Sequence, residues 1–377
     1  MKSARRARSH EVKPDSDLTI VDITAWDVDI PLADRFAIAG GSMSVAQNVF
    51  VRVTLSGGAQ GYGECAPFPD VSGENRDSTN HAINDLRETL IGQTAAAYRS
   101  ISSRLREATY DHRAARCGIE TAILDAIARA LGLPLWTLLG GEPTGCCQTD
   151  VTIPILGRHR CAELADQWYQ RGFRRLKLKV GAHLESDLET IHAIAKRHPD
   201  LDFILDANQG FSEADSVALI NAINRHELKV RLLEQPVDKS DLAAMSLLRR
   251  RAPFPLCADE SVTSLQEAMS VIKADAADVI NIKITKCGVV EAMDIAALAH
   301  SAGLGVMFGG MVETRLAMSC SLALATACGP IHTLDLDTPL LMSEDPIEGG
   351  YSYDGPRISL TDAPGLGLKP RVEPPVG

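Results

Sequence analysis

The sequence predicts an α/β protein in which a small α+β domain precedes a barrel of eight parallel strands. Two observations carry this. From Thr149 onward, eight short apolar runs alternate with helix-patterned segments; such alternation indicates a parallel sheet, and eight strands indicate closure. In addition, Lys179, Asp206, Glu234, Asp259 and Lys283 each end one of these runs and lie 24 to 28 residues apart. That pitch is one strand, one helix and two loops, so a closed barrel would gather all five into one ring.

The elements follow in order. TIVDITAWDVDIPL and NVFVRVTLS read as two strands separated by the Gly- and Ser-rich loop Ala39–Ser44. Ile83, Leu86, Leu90 and Ile91 recur at helical spacing, as do Ile119, Ala122, Ile123, Ala126 and Ile127 between Ala114 and Leu131. Together they make an α+β domain over residues 18–145. The runs TDVTIPI, RRLKLKV, DFILDA, VRLLEQ, FPLCAD, VINIKI, LGVMFG and IHTLDL are the barrel strands of residues 146–346. Helices are expected between them, as at 162–171, 187–197, 213–225 and 289–301. No eighth helix is evident after DLDTPLL, and the Gly- and Pro-containing tail, 347–377, is expected to return to the first domain.

Residues 1–17 are basic at the start, with Lys2, Arg5, Arg6 and Arg8, and lack an apolar core, so they read as a disordered extension and not a secretory signal. A net charge of −11 argues against nucleic acid as a partner, because phosphate binding needs clustered cations. No apolar stretch approaches the roughly 18 residues of a membrane span. Nine cysteines occur without a CxxC pair, and Cys257, Cys320 and Cys328 sit in apolar runs, which fits free thiols in a cytoplasmic protein. The adjacent Cys146 and Cys147 lack the second pair that a zinc site requires. Gly61-Tyr-Gly63-Glu-Cys-Ala66 matches a dinucleotide-binding pattern, but Pro67 and Pro69 interrupt the helix that should follow, so it reads as a turn.

A single carboxylate at a strand end could cap the next helix. Three on successive strands, Asp206, Glu234 and Asp259, instead supply hard oxygen ligands whose mutual repulsion a divalent cation would relieve: Mg²⁺, with Mn²⁺ as the alternative. Lys177 and Lys179 alternate with Leu176, Leu178 and Val180, so both point to the barrel interior. Near a cation such a lysine loses proton affinity and serves as a base. Lys283, four strands on, approaches from the opposite side, whereas Lys286 is expected to be solvated in a loop. A carbon acid beside a carboxylate needs this combination, since the metal stabilises the enediolate that a lysine creates. Bases on both faces favour inversion of configuration.

In KLK at the second strand, DAN, EQP and ADES at the next three, NIK at the sixth, and GYGECAPFP before them, the chain resembles the muconate-lactonizing subgroup of the enolase superfamily. The resemblance implies a modified TIM barrel, (β/α)7β, with an α+β cap. It implies Mg²⁺ on Asp206, Glu234 and Asp259, and acid/base catalysis by Lys179 on the D face and Lys283 on the L face. Lys177 would assist its neighbour and the substrate carboxylate. The subgroup's reactions include dipeptide epimerisation, N-acylamino acid racemisation, o-succinylbenzoate synthesis and muconate cycloisomerisation.

Asp335-Leu-Asp337, closing the eighth strand, resembles the motif with which dipeptide epimerases hold the substrate's α-ammonium group, and an anionic or acylated substrate would be repelled there. Epimerases acting on L-Ala-D/L-Glu carry an arginine in the loop 38–46, where this chain has Met43; Arg35 and Arg52 are the nearby alternatives. Glutamate is therefore disfavoured as the second residue, and an apolar or otherwise different one is expected. The leading expectation is a Mg²⁺-dependent dipeptide epimerase that inverts the C-terminal residue's α-carbon. Another reaction of the subgroup and a non-catalytic binding barrel are its rivals. A homo-oligomer would be usual for such a barrel.

Overall fold

The computed structural model describes residues 17–108, 112–142 and 147–374. The extension up to Ser16, and Cys146, lie outside these residues. Ile20–Ile38 and Gly41–Leu55 form a long antiparallel hairpin, extended by Gln60–Cys65 on the second strand. The expected loop Ala39–Ser44 is shorter than its composition suggested: Phe36 pairs with Met43 and Ile38 with Gly41, leaving a two-residue turn. A register shift between Pro31 and Phe36 bends the hairpin, and bulges at such points re-aim the side chains beyond them.

The glycine pattern at Gly61–Ala66 is also corrected. Gly61 and Gly63 lie inside the third strand, not in a turn. A Cβ on Gly63 would stand 1.9 Å from the Gly118 carbonyl oxygen, and one on Gly61 would stand 2.2 Å from that of Ala122. The glycines let the sheet press directly on the helix Arg113–Leu131, whose contacting face is Gly118, Ala122 and Ala126. Helix Arg76–Leu90, entered through an Asn75–Ser78 capping box, packs on the same sheet with Ile83, Leu86 and Leu90.

All eight expected barrel strands are present: Val151–Ile153, Arg175–Lys179, Asp202–Asp206, Val230–Glu234, Leu256–Ala258, Val279–Ile282, Gly305–Phe308 and Thr333–Leu334. Each hydrogen-bonds in parallel with the next. Thr149 bridges Leu334, and the Asp150 N–H donates to the Leu334 carbonyl at 3.1 Å, so the last strand meets the first. Long helices follow each of the first seven strands; after the eighth comes only the short turn Thr338–Leu341. Ser212, Asp241, Ser264 and Thr314 cap the helices that follow them. The strand-end carboxylates Asp206, Glu234 and Asp259 are thus not the caps.

Inside the barrel, Ile204, Leu232, Cys257, Val279 and Met307 make one apolar cluster. Each of the first four stands two residues before Asp206, Glu234, Asp259 or Asn281. Because strand side chains alternate, an apolar floor dictates that these polar residues form the next layer on the same inward face.

The tail touches both parts of the molecule. Ser352–Asp354 and Arg357–Ser359 form a hairpin that extends onto Cys147–Gln148. Farther on, the Leu366 N–H donates to Asp125, Trp136 Nε1 to the Thr361 carbonyl, and Trp26 Nε1 to that of Val372. Among the described residues no helix is long and apolar enough to cross a membrane.

Candidate active site

The floor places Asp206, Glu234 and Asp259 so that one oxygen of each lies within 4.8 Å of the others, all fully buried. Lysines surround them. Lys177 Nζ stands 3.0 Å from Asp206, 2.9 Å from Glu234 and 2.7 Å from Asp335. Lys179 Nζ is 2.6 Å from Asp206, and Lys283 Nζ is 2.6 Å from Asp259. Lys179 and Lys283 line one cavity, and their strands are the second and sixth of eight, so they come from opposite walls.

Lys286 overturns the expectation of a solvated loop. It is buried in the one-turn helix Ile284–Cys287 and donates to the Asp259 carbonyl at 2.6 Å, the Asp259 carboxylate at 2.5 Å and the Asn281 carbonyl at 3.0 Å. Asn281 in turn donates to Glu234 Oε1 at 2.8 Å. From the sequence, Lys286 has no role in the site and Asn281 is not singled out. Asn281 carried a usable signal, since it precedes Lys283 by two on the same strand and shares its face.

Among these side chains the electrostatics favour charged lysines. Burial opposes charge at Lys177 and Lys283, yet the carboxylates around each hold its proton more firmly than in water. Burial likewise opposes charge at Asp206 and Asp259, but the lysines hold both below the usual carboxylate range. Burial and nearby Asp206 push Glu234 up to about 8. The lysine ammonium groups here do part of what a metal would do, neutralising Asp206 and Asp259 while Glu234 retains a proton. Those carboxylates, hard oxygen donors from three neighbouring strands, fit a divalent cation.

A second acidic group, Asp150, Asp335 and Asp337, adjoins the first through Lys177. Asp337 accepts the Thr152 backbone N–H and opens the turn Thr338–Leu341 without capping it. The hydroxyls of Tyr351 and Tyr353, from the tail, both donate to the Leu336 carbonyl, at 3.1 and 2.7 Å, bracing the strand end between the two aspartates.

The cavity at the ring is narrow, about 30 Å³; Phe36, Ile38, Phe68, Val71, Met311 and Val312 form its apolar side, and Asn208 and Glu260 line it beside the two lysines. Met43 is the cross-strand partner of Phe36 on the same sheet face, and it is not itself a lining residue. Arg35 donates to Ser42 at 2.9 Å and Arg52 to Thr24 at 3.4 Å, and neither is a lining residue.

Residues 20–140 match the N-terminal domain of mandelate racemase / muconate lactonizing enzyme, and residues 160–373 match the enolase C-terminal domain-like family. An L-Ala-D/L-amino acid epimerase of Populus trichocarpa is 38% identical over 90% of this chain and 82% of its own. An aromatic dipeptide epimerase of Herpetosiphon aurantiacus is 38% identical over 93% of this chain and 98% of its own. The crystal structure of a dipeptide epimerase from Cytophaga hutchinsonii, complexed with Mg and D-Ala-L-Val, superposes with a TM-score of 0.90 at 31% identity, covering 93% of this chain and 96% of that one. With both domains matched and epimerases among such relatives, the chain belongs to the enolase superfamily as an isomerase of the mandelate racemase and muconate lactonizing kind.

Proposed function

We propose that this enzyme is a Mg²⁺-dependent dipeptide epimerase that inverts the α-carbon of the C-terminal residue and prefers an apolar side chain there. The observation that carries the reading is the cavity itself: Lys179 and Lys283 from opposite walls, beside three convergent carboxylates, with Asp335 reached through Lys177. The named activities and ligands of the relatives support it.

A divalent cation on Asp206, Glu234 and Asp259 would acidify the α-hydrogen by drawing charge toward the substrate carboxylate. Lys179 removes a proton from one face of the α-carbon and Lys283 returns one to the other; the reverse reaction exchanges their roles. Lys177 orients the substrate carboxylate. Asp335 and Asp337 hold the free ammonium group, and buried carboxylates penalise an acylated amine that leaves them unpaired. Phe36, Ile38, Met311 and Val312 surround the side chain, and burying a glutamate among them without a cation would be costly.

The test is incorporation of deuterium at the α-carbon in D₂O with Mg²⁺, across an L-Ala-L-Xaa library read by mass spectrometry. Exchange is expected for apolar second residues and is weak or missing for Glu. Absence of exchange with every dipeptide would sink the proposal, and a preference for Glu would sink its specificity half.

A further inference from the structure

Asp150 is a buried acid for which the proposed chemistry has no use. It sits just before the first barrel strand, where Thr149 pairs with Leu334, so Asp150 is level with Asp335 and Thr152 is level with Asp337. Asp150, Asp335 and Asp337 each place an oxygen within 4.8 Å of the others. Asp335 accepts from Lys177 at 2.7 Å and Asp337 from the Thr152 N–H. Asp150 is fully buried, and neither of its oxygens has a hydrogen-bond partner.

A bare buried carboxylate is not sustained without a partner. Three beside one ammonium would be worse, since Lys177 also serves Asp206 and Glu234. Excess negative charge in such a cluster is relieved by a proton, because like carboxyls at close range cannot all ionise. Burial, Asp335 and Asp337 all raise the proton affinity of Asp150, and it is the carboxyl of the three whose own oxygens accept nothing.

Resting on the dipeptide reading, we propose that Asp150 is a positioning residue for the amine end of the substrate: as a neutral acid it donates a hydrogen bond to Asp335. That bond fixes the Asp335 carboxylate against Lys177 and keeps the charge of the cluster matched to one incoming ammonium group. The ligand class it tunes the site for is a primary ammonium.

Two measurements test this. On a dipeptide that the wild-type enzyme turns over, Asp150→Ala should raise KM about tenfold, the loss of one hydrogen bond to a charged group, with kcat little changed. Asp150→Asn, which retains a donor, should recover most of that loss. An unchanged KM in Asp150→Ala, or an asparagine variant as impaired as the alanine, would overturn the proposal. The second readout needs neither activity nor the alanine variant to fold. Wild-type-minus-Asp150→Asn infrared difference spectra of the substrate-free protein should show one carboxylic acid C=O band lost in the variant; no lost band overturns the proposal. If that band is lost while no dipeptide exchanges deuterium, the dipeptide reading fails and the protonated Asp150 stands.

Discussion

Lys179 and Lys283 reach the same cavity but are held differently. Lys283 is buried at 4% exposure and paired with Asp259, which Lys286 also holds, whereas Lys179 pairs with Asp206 below the Phe36 ring. If each serves one face of the α-carbon, removing one amine separates inversion from exchange. Lys283→Ala should lower epimerisation by about 10³-fold, in the range for a lost general acid–base. Exchange into solvent should persist for the epimer whose α-hydrogen faces Lys179, and Lys179→Ala should show the mirror pattern. Proton NMR in D₂O on each pure epimer distinguishes these; equal loss of exchange from both epimers in both variants would refute separate faces. The ring's carboxylates and lysines were legible in the sequence because each ends an apolar run. Asn281, Lys286 and Asp150 were not, since a polar residue inside a run, just after it or just before it looks like a turn or a cap. Counting inward positions in twos from the ring recovers Asn281, but Lys286 reaches Asp259 from a helical turn that no strand rule describes.

At the scale of elements, the close approach of the sheet to helix Arg113–Leu131 leaves no room for a side chain at the crossing. The Gly63 Cα faces the backbone of Gly118, and a methyl placed 1.9 Å from a carbonyl oxygen cannot be relieved by rotating a side chain. Gly63→Ala should therefore destabilise the protein by at least the ~1–3 kcal/mol typical of overpacking, read as a lower midpoint in denaturant. A midpoint matching wild type would show that the helix can slide. The pattern was visible but was misread, because glycines that permit a tight turn and glycines that permit a close helix look alike in one sequence. Hairpin length was misread for a related reason: Gly41, Ser42 and Ser44 have poor strand propensity, yet pairing across to Phe36 and Ile38 carries the ladder through. The barrel strands were plain by contrast, since burial on both faces leaves near-continuous apolar runs.

Across the whole molecule, the N-terminal sheet and the barrel are joined through buried Glu64. It accepts from Asn48 at 2.7 Å, the Thr314 hydroxyl at 2.6 Å and the Ala317 N–H at 3.2 Å, and Asn48 donates to the carbonyl of Val312, a cavity wall. Nothing in the sequence pointed to this joint, because it couples residues about 250 positions apart. Burial and Glu313 push Glu64 up to about 7. Burial also pushes Glu74 and Glu260 up to about 7, Asp337 to about 7 with help from Asp335, and Glu234 to about 8. A carboxyl raised in the folded state binds a proton that the unfolded chain has released. Its contribution is complete below the unfolded value near 4 and is lost as pH rises through 7 to 8. Asp206 and Asp259, held low, oppose this only below about pH 4. The net charge of −11 adds repulsion in the same direction. With chelator present, the melting temperature should therefore fall between pH 5.5 and pH 8. Magnesium binds the deprotonated carboxylates, so it should raise the melting temperature more at pH 8 than at pH 5.5, narrowing the fall. A flat or rising profile in chelator would contradict the raised carboxyls. Equal increments from magnesium at both pH values would contradict its binding at Asp206, Glu234 and Asp259, where Glu234 must first give up its proton.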